Sequence, residues 1–260
     1  MMSILLCGCR EIGSNISTET EDSTEATTEA ITEPVIDRTN DGKTVVCIDA
    51  GHGFGDVGCG PCYMGCYEYE VTMAIALKLK SRLEALGAEV ILTHDGESYP
   101  DENYIMEKCE EYGIEYKEDK IKVNDIFSAY ERALYEEILA VENNLDFFIS
   151  LHINTVENAD YVDGFEYYYC NDNPGATELE AFGHTISAKL EGDFVNTGYD
   201  FEEAYLVTKY ADFPSVLLEM GYATNPTDAA NLTSEAWQDN LATVLASEIV
   251  SFVGTDSTEA

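Results

Sequence analysis

The sequence predicts an α/β fold in which strands of the buried, parallel-sheet type alternate with amphipathic helices, and three observations predict it. Hydrophobic runs rich in β-branched residues stand at 43–48, 89–94 and 145–151 and lack the in-out alternation of a half-exposed strand. Between the first two lies a segment, 68–86, whose apolar residues recur with the period of one helix face. A strand, helix, strand unit of this size closes by a right-handed crossover into a parallel pair. With 260 residues, 45% of them hydrophobic, the chain has material for one domain of about 200 residues plus a tail.

Taken from its start, the chain opens with Met1–Cys9, too short to span a bilayer and without the basic leader of a complete secretion signal. Leu6-Cys7-Gly8-Cys9 nevertheless resembles the end of a bacterial lipoprotein signal, in which the cysteine after the glycine carries the lipid. On that reading residues 1–9 are the remnant of a truncated signal and Cys9 is a membrane tether. Residues 10–42, dominated by Ser, Thr, Glu and Asp, are expected to be a disordered, self-repelling acidic linker. The formal charge of −38 argues against nucleic acid or an anionic membrane surface as the main partner.

Lys43–Ile48 is the first expected strand, and Asp49-Ala50-Gly51-His52-Gly53 turns out of it. Glycines on both sides of His52 permit unusual dihedrals and close approach of other groups, as a loop presenting a ligand or catalyst at a strand's carboxyl end requires. Taken alone, the pattern equally suits a turn histidine that caps a strand. Cys59, Cys62 and Cys66 follow, without the second pair that a zinc knuckle needs. In an exported protein one local disulfide, with Cys109 or Cys170 completing another, is the more economical reading.

Glu68-Tyr69-Glu70 opens a helix to about Leu86, with Val71, Ile75, Leu79, Leu83 and Leu86 on one stripe and Gly87 as its stop. Glu68 is therefore in line with the buried stripe near the helix's positive end, where a carboxylate stays ionised. Capping alone also favours acids there. Glu89–His94 is a second strand, and residues 95–123 exceed an ordinary connection, so they are read as an insertion on the rim with helical pieces near 103–112. A helix over 124–143 presents Ile126, Ala129, Tyr130, Ala133, Leu134, Ile138 and Val141 as its apolar face.

The third strand, 145–151, ends at His152, so two of the chain's four histidines directly follow core strands. In an open parallel sheet such strand ends converge on one edge. Gly164–Cys170 is a further strand, and 176–191 a helix with His184 on its surface. Residues 192–210 read as loops with a short strand around Tyr205-Leu206-Val207. The run Pro214–Tyr222 is a core strand that a carboxylate, Glu219, terminates, and Asn225-Pro226 begins a turn. A closing helix over 234–253 turns Trp237, Leu241, Leu245, Ile249 and Phe252 inward, ahead of a polar tail at 254–260.

His52, Glu68, His152 and Glu219 are the groups gathered at strand ends and helix starts. Two imidazoles and one carboxylate make a three-ligand catalytic zinc set with an open position for water. Zinc in such a set lowers the pKa of that water to about 7 and polarises a carbonyl. A second, non-ligating carboxylate is then wanted as base and proton donor, and Glu219, at the end of an apolar strand, is enclosed enough for a raised pKa. This is the chemistry of metal-assisted amide hydrolysis.

The blocks DAGHG, Glu68 ahead of VTMAIALKLKSRLEALGAEVILT, FISLHIN, GFEYYY and PSVLLEMGYATNPTDAANL resemble the zinc-dependent N-acetylmuramoyl-L-alanine amidases of the Amidase_3 type. The likeness covers residues 43–253 in the family's order, which is more specific than any one motif. It implies a mixed, mostly parallel twisted sheet of about six strands flanked by helices on both faces. It also implies cleavage of the amide between N-acetylmuramic acid and the L-alanine of the peptidoglycan stem peptide. Carried over, His52, Glu68 and His152 become the zinc ligands and Glu219 the catalytic carboxylate. Arg132 matches a family arginine with an expected structural role, and Asn154 and Asn225 match asparagines near the site.

The chain departs from the family in Thr93-His94 where Thr-Arg is usual, in the length of 95–123, which suits either an inhibitory cover or a binding rim, and in the cysteines at 59–66. An extracytoplasmic, lipid-anchored monomer acting on peptidoglycan follows from the resemblance together with Cys9. Two other readings use the same residues: a zinc peptidase of related architecture, and a surface lipoprotein that binds muropeptides without cutting them. A binder has no use for an enclosed proton shuttle, so Glu219 argues against the last.

Overall fold

Six strands, β1 (Val45–Ala50), β2 (Glu89–Leu92), β3 (Phe147–Asn154), β4 (Phe165–Cys170), β5 (Phe194–Tyr199) and β6 (Ser215–Tyr222), form one sheet in the order β2-β1-β3-β6-β4-β5. All neighbouring pairs are parallel except β4 and β6. The mixed, mostly parallel sheet expected from the sequence is thus present. This computed structural model describes residues 43–96, 98–121, 128–190, 194–200 and 204–256. The expected signal remnant (1–9), the linker (10–42), residues 122–127 and the end of the C-terminal tail lie outside the described residues.

Helices α1 (Glu68–Ala85), α4 (Ala176–Leu190) and α7 (Glu235–Asp256) share a core with one sheet face, through Val46, Ile48, Ile149, Leu151 and Leu218 among others. On the other face α3 (Ala129–Asn143) and α5 (Leu206–Lys209) meet Cys47, Phe148, Leu217 and Tyr168. Residues of opposite parity in β1, β3 and β6 therefore both meet helices, which is why these strands read as unbroken apolar runs. Truncating one of their fully buried residues, such as Ile149, would cost about 2–5 kcal/mol. Among the described residues no helix is long and apolar enough to cross a membrane.

The insertion supplies α2 (Glu102–Tyr112), whose Ile105 and Cys109 pack with Ile121 on Leu134 and Ile138 of α3. Flanked by the sheet and by α2, α3 buries more than its apolar stripe: Glu131, Arg132 and Glu136 are buried as well, while Ala129 is exposed. Ser128 and Glu131 close a capping box at its start.

Several expected elements move. Leu86 is an exposed helix cap rather than part of the α1 core. Tyr205-Leu206-Val207 is not a strand: Leu206 begins α5, and the fifth strand runs over Phe194–Tyr199, where polar residues and a glycine interrupt the apolar pattern. Asn225-Pro226 does not simply turn the chain but starts α6 (Pro226–Leu232), with the Asn225 side chain accepting from the Thr227 and Asp228 N–H groups. The closing helix continues to Asp256. All six described cysteines are free, with Cys109 on the buried face of α2 and Cys170 at the end of β4.

Candidate metal centre and its carboxylates

His52 leaves β1 in the left-handed region, φ 67°, which costs a non-glycine residue about 1 kcal/mol or more. Its surroundings hold it there. The Arg132 guanidinium donates to the His52 carbonyl and, at 2.8 Å, to Asp49 Oδ1. Asp49, fully buried at the end of β1, also accepts from Thr93 Oγ1 at 2.6 Å and Ser150 Oγ at 2.8 Å. Burial works against its ionisation, yet Arg132 and Thr93 hold its carboxyl well below the usual range. Arg132 therefore has the structural place expected of it.

Glu68 occupies the first position of α1 and is buried. Its Oε1 accepts from the Ile153 N–H at 2.8 Å and its Oε2 from the Cys59 N–H at 2.8 Å. Oε1 also lies 3.2 Å from His52 Nε2 and 3.2 Å from His152 Nδ1. One donor atom from each of His52, Glu68 and His152 thus falls within 4.8 Å of the others. Desolvation opposes the charge of Glu68, but the two imidazoles outweigh it and lower its pKa.

Close packing makes this convergence possible. A Cβ on residue 51 would come within 2.6 Å of the His152 ring, and one on residue 58 within 2.5 Å of Glu68 Oε2, so only glycine fits at Gly51 and Gly58. Asp56 Oδ2 lies 2.8 Å from His52 Nδ1 and accepts its proton, which orients the ring with Nε2 toward Glu68. Burial alone would lower the His52 pKa; hydrogen bonds to Asp56 and Glu68 raise it to about 10 instead.

His152 and Glu219 lie within β3 and β6 rather than after them, and they are register partners. Alternation of side chains along each strand, not strand termination, is what turns both onto one face. Glu219 is half-buried, and its Oε2 is enclosed with no hydrogen-bond partner among the described residues. Burial, with the charges of Glu68 and Glu166 added, pushes its pKa well above the usual carboxylate value.

Glu166 escaped the sequence reading although it pairs with Glu219 across the antiparallel junction of β4 and β6. It accepts from Asn154 Nδ2 at 2.5 Å and from the Tyr222 hydroxyl at 2.8 Å. Asp56 was also missed. The only signal for either was an acid in a glycine-rich loop and an acid among tyrosines. Asn225 serves α6 and the Asp160 carbonyl, so its place is structural. His94 donates from Nε2 to the Ala50 carbonyl at 2.7 Å, supporting the histidine loop where the family pattern has arginine. His184 is exposed on α4.

The arrangement offers three convergent donors for one cation, with a carboxylic acid on the adjoining strand. The chain also resembles other proteins in sequence and fold. The chain is 26% identical over 219 residues to YqiI of Bacillus subtilis strain 168, covering 82% of this chain and 85% of that protein. It is 26% identical over 212 residues to the N-acetylmuramoyl-L-alanine amidase LytC of the same strain, covering 81% of this chain but only 36% of LytC. The CwlD amidase from Clostridioides difficile, solved with the GerS lipoprotein, shares the fold at a TM-score of 0.64 and 24% identity, covering 82% of this chain and all of that one. The profile of the Amidase_3 family, N-acetylmuramoyl-L-alanine amidase, matches residues 46–251, and the chain belongs to that family.

Proposed function

We propose that the protein is a zinc-dependent N-acetylmuramoyl-L-alanine amidase of peptidoglycan, with His52, Glu68 and His152 as the metal ligands and Glu219 as the catalytic acid-base. The observation that carries this reading is the convergence of the three donor atoms within 4.8 Å, with Glu219 in register beside His152. Imidazole and carboxylate donors in a set of three, oriented by Asp56 and by backbone N–H groups, suit zinc. The enclosed Glu219 Oε2 is a polar atom with no hydrogen-bond partner among the described residues, as expected of a group whose partner is a substrate or water. Bound there, zinc supplies Lewis-acid chemistry, polarising a carbonyl and acidifying water.

The chain's own residues do the rest. Glu219 takes a proton from the water that adds to the lactyl carbonyl carbon. It returns the proton to the alanine nitrogen as the carbon-nitrogen bond breaks, so that the amine leaves neutral. Its raised pKa favours the second transfer. Glu68, held by two N–H groups, and His52, held by Asp56, keep their positions throughout, and Arg132 fixes the loop on which His52 stands.

Digestion of purified sacculi by the zinc-loaded protein is expected to release intact stem peptides with a free L-alanine amine, read by mass analysis. Fragments cut within the stem peptide would instead identify a peptidase, and intact sacculi a binder. We also propose an extracytoplasmic location with a lipid tether at Cys9. Cys9→Ala, expressed with a full signal peptide, is expected to move the protein from the membrane fraction to the soluble one, and retention in membranes would refute the tether.

A further inference from the structure

Glu166 and Glu219 stand directly opposite each other at the antiparallel junction of β4 and β6. Side chains paired in this way share a face, with Cβ atoms about 5 Å apart, and like charges there are destabilising. Two carboxylates in such a position call for a reason.

The surroundings of Glu166 hold it in place. Its Oε2 accepts from Asn154 Nδ2 at 2.5 Å and its Oε1 from the Tyr222 hydroxyl at 2.8 Å. The Asn154 amide is kept from turning over, because its Oδ1 accepts from the Thr155 N–H at 2.7 Å. Tyr222 reaches Glu166 through an irregularity in β6. His152 and Asn154 are two residues apart, whereas their partners Glu219 and Tyr222 are three apart. The extra residue is taken up beside Gly221, at φ 142°, and brings Tyr222 back to the face of Glu219 that strict alternation would deny it. Burial and then Glu166 push the Tyr168 pKa up, so a third hydroxyl leans on the same carboxylate.

These donors are neutral, and a glutamine would tie the strands as well, with its amide oxygen toward Asn154 and its amide nitrogen toward the Tyr222 oxygen. A carboxylate has about four acceptor sites, which leaves room for one donor more. Glu166 is half-buried rather than closed off, so that donor can come from the cleft.

We propose that Glu166 is a further catalytic residue, which accepts a hydrogen bond from the N–H of the amide under attack and so turns that nitrogen's lone pair toward Glu219. The proposal rests on the amidase reading of the site. An amide nitrogen becomes a leaving group only when a proton arrives along its lone pair. As the carbonyl carbon turns tetrahedral, the lone pair is released from resonance, and its direction follows from where the N–H points. An acceptor fixed by Asn154 and Tyr222 on the strand beside Glu219 holds the N–H to one side and leaves the lone pair to the acid. Glu219 supplies the proton, the carbon-nitrogen bond breaks, and Glu166 neither gains nor loses a proton.

The test compares two substrates of the full, zinc-loaded chain: a synthetic muramoyl peptide and its ester analogue, in which oxygen replaces the L-alanine nitrogen. The ester has no N–H to offer. Glu166→Gln, which keeps the strand ties, is expected to lower kcat/KM about 10–100-fold on the amide and less than about twofold on the ester, with bound zinc unchanged. Glu166→Ala, which cuts the ties as well, should depress both substrates, the amide by the larger factor. Equal losses on both substrates, or none on either, would overturn the proposal and leave the amidase reading standing. A wild-type chain that leaves the amide intact would remove the amidase reading and this one with it.

Discussion

Two groups of carboxylates share the carboxyl edge of this sheet, and their surroundings set them apart. On the β1 side Asp49 and Glu68 are deeply buried among donors: a guanidinium and two hydroxyls for the first, two backbone N–H groups and two imidazoles for the second. On the β6 side Glu219 has an enclosed oxygen that meets no donor among the described residues and a second carboxylate, Glu166, as its strand neighbour. Burial alone pushes all three toward the neutral form. The supply of donors reverses that for Asp49 and Glu68 and not for Glu219. The same side-chain chemistry thus yields a fixed anion on one side, fit to hold a cation, and on the other a carboxyl group biased toward its protonated form, as the proposed proton carrier requires.

Substitution of Glu219 by Gln tests the proton-carrier side and has the largest expected effect. It should lower kcat by about 10³-fold while bound zinc, counted by elemental analysis, stays at the wild-type stoichiometry. Loss of zinc instead would move Glu219 into the ligand group and erase the contrast. Arg132→Met tests the fixed-anion side. It leaves Asp49 buried without its cation and should cost about 3–5 kcal/mol in urea unfolding.

The pH dependence sharpens the same point. Asp49 has a folded pKa below its unfolded one, so its contribution to stability is complete above about pH 4 and is lost as pH falls through the folded value. Asp49→Asn should flatten that acid limb in unfolding curves. Asp56→Ala, which frees His52 Nδ1, should weaken zinc binding about 10–100-fold by chelator competition without changing the fold.

The smallest effect belongs to Glu136, a buried acid on α3 whose described bond is from the Ser215 hydroxyl at 3.0 Å. Burial raises its pKa well above the ordinary value. Its folded state holds a proton that the unfolded chain releases, so stability falls as pH rises above the unfolded pKa. Glu136→Gln should therefore stabilise the protein at pH 7 by about 1 kcal/mol, with little change near pH 4, as measured by thermal melts at both pH values.

His52, Glu68, His152 and Glu219 could be singled out in advance because each interrupts or borders an apolar run, where a polar group demands a reason. Glu166 and Asp56 offered no such contrast. Glu166 stands among tyrosines, and its meaning comes from a strand pairing with β6 across 53 positions of sequence. β5 was missed because its asparagine, threonine and glycine break the apolar pattern, and α5 because four residues are too few to show a helical period.

What the linear order of residues determined was the class of fold, the helix that presents Glu68, and the four polar groups at its apolar boundaries, since hydrophobic periodicity and glycine placement are local properties. Tertiary structure alone decided which donors hold Glu68 in the charged form its place at a helix start suggested, and it added Asp49 as a second fixed anion. That outcome depends on donors brought from β3, α3 and the cysteine loop to within hydrogen-bond reach. No local pattern records how many such donors a buried oxygen will meet.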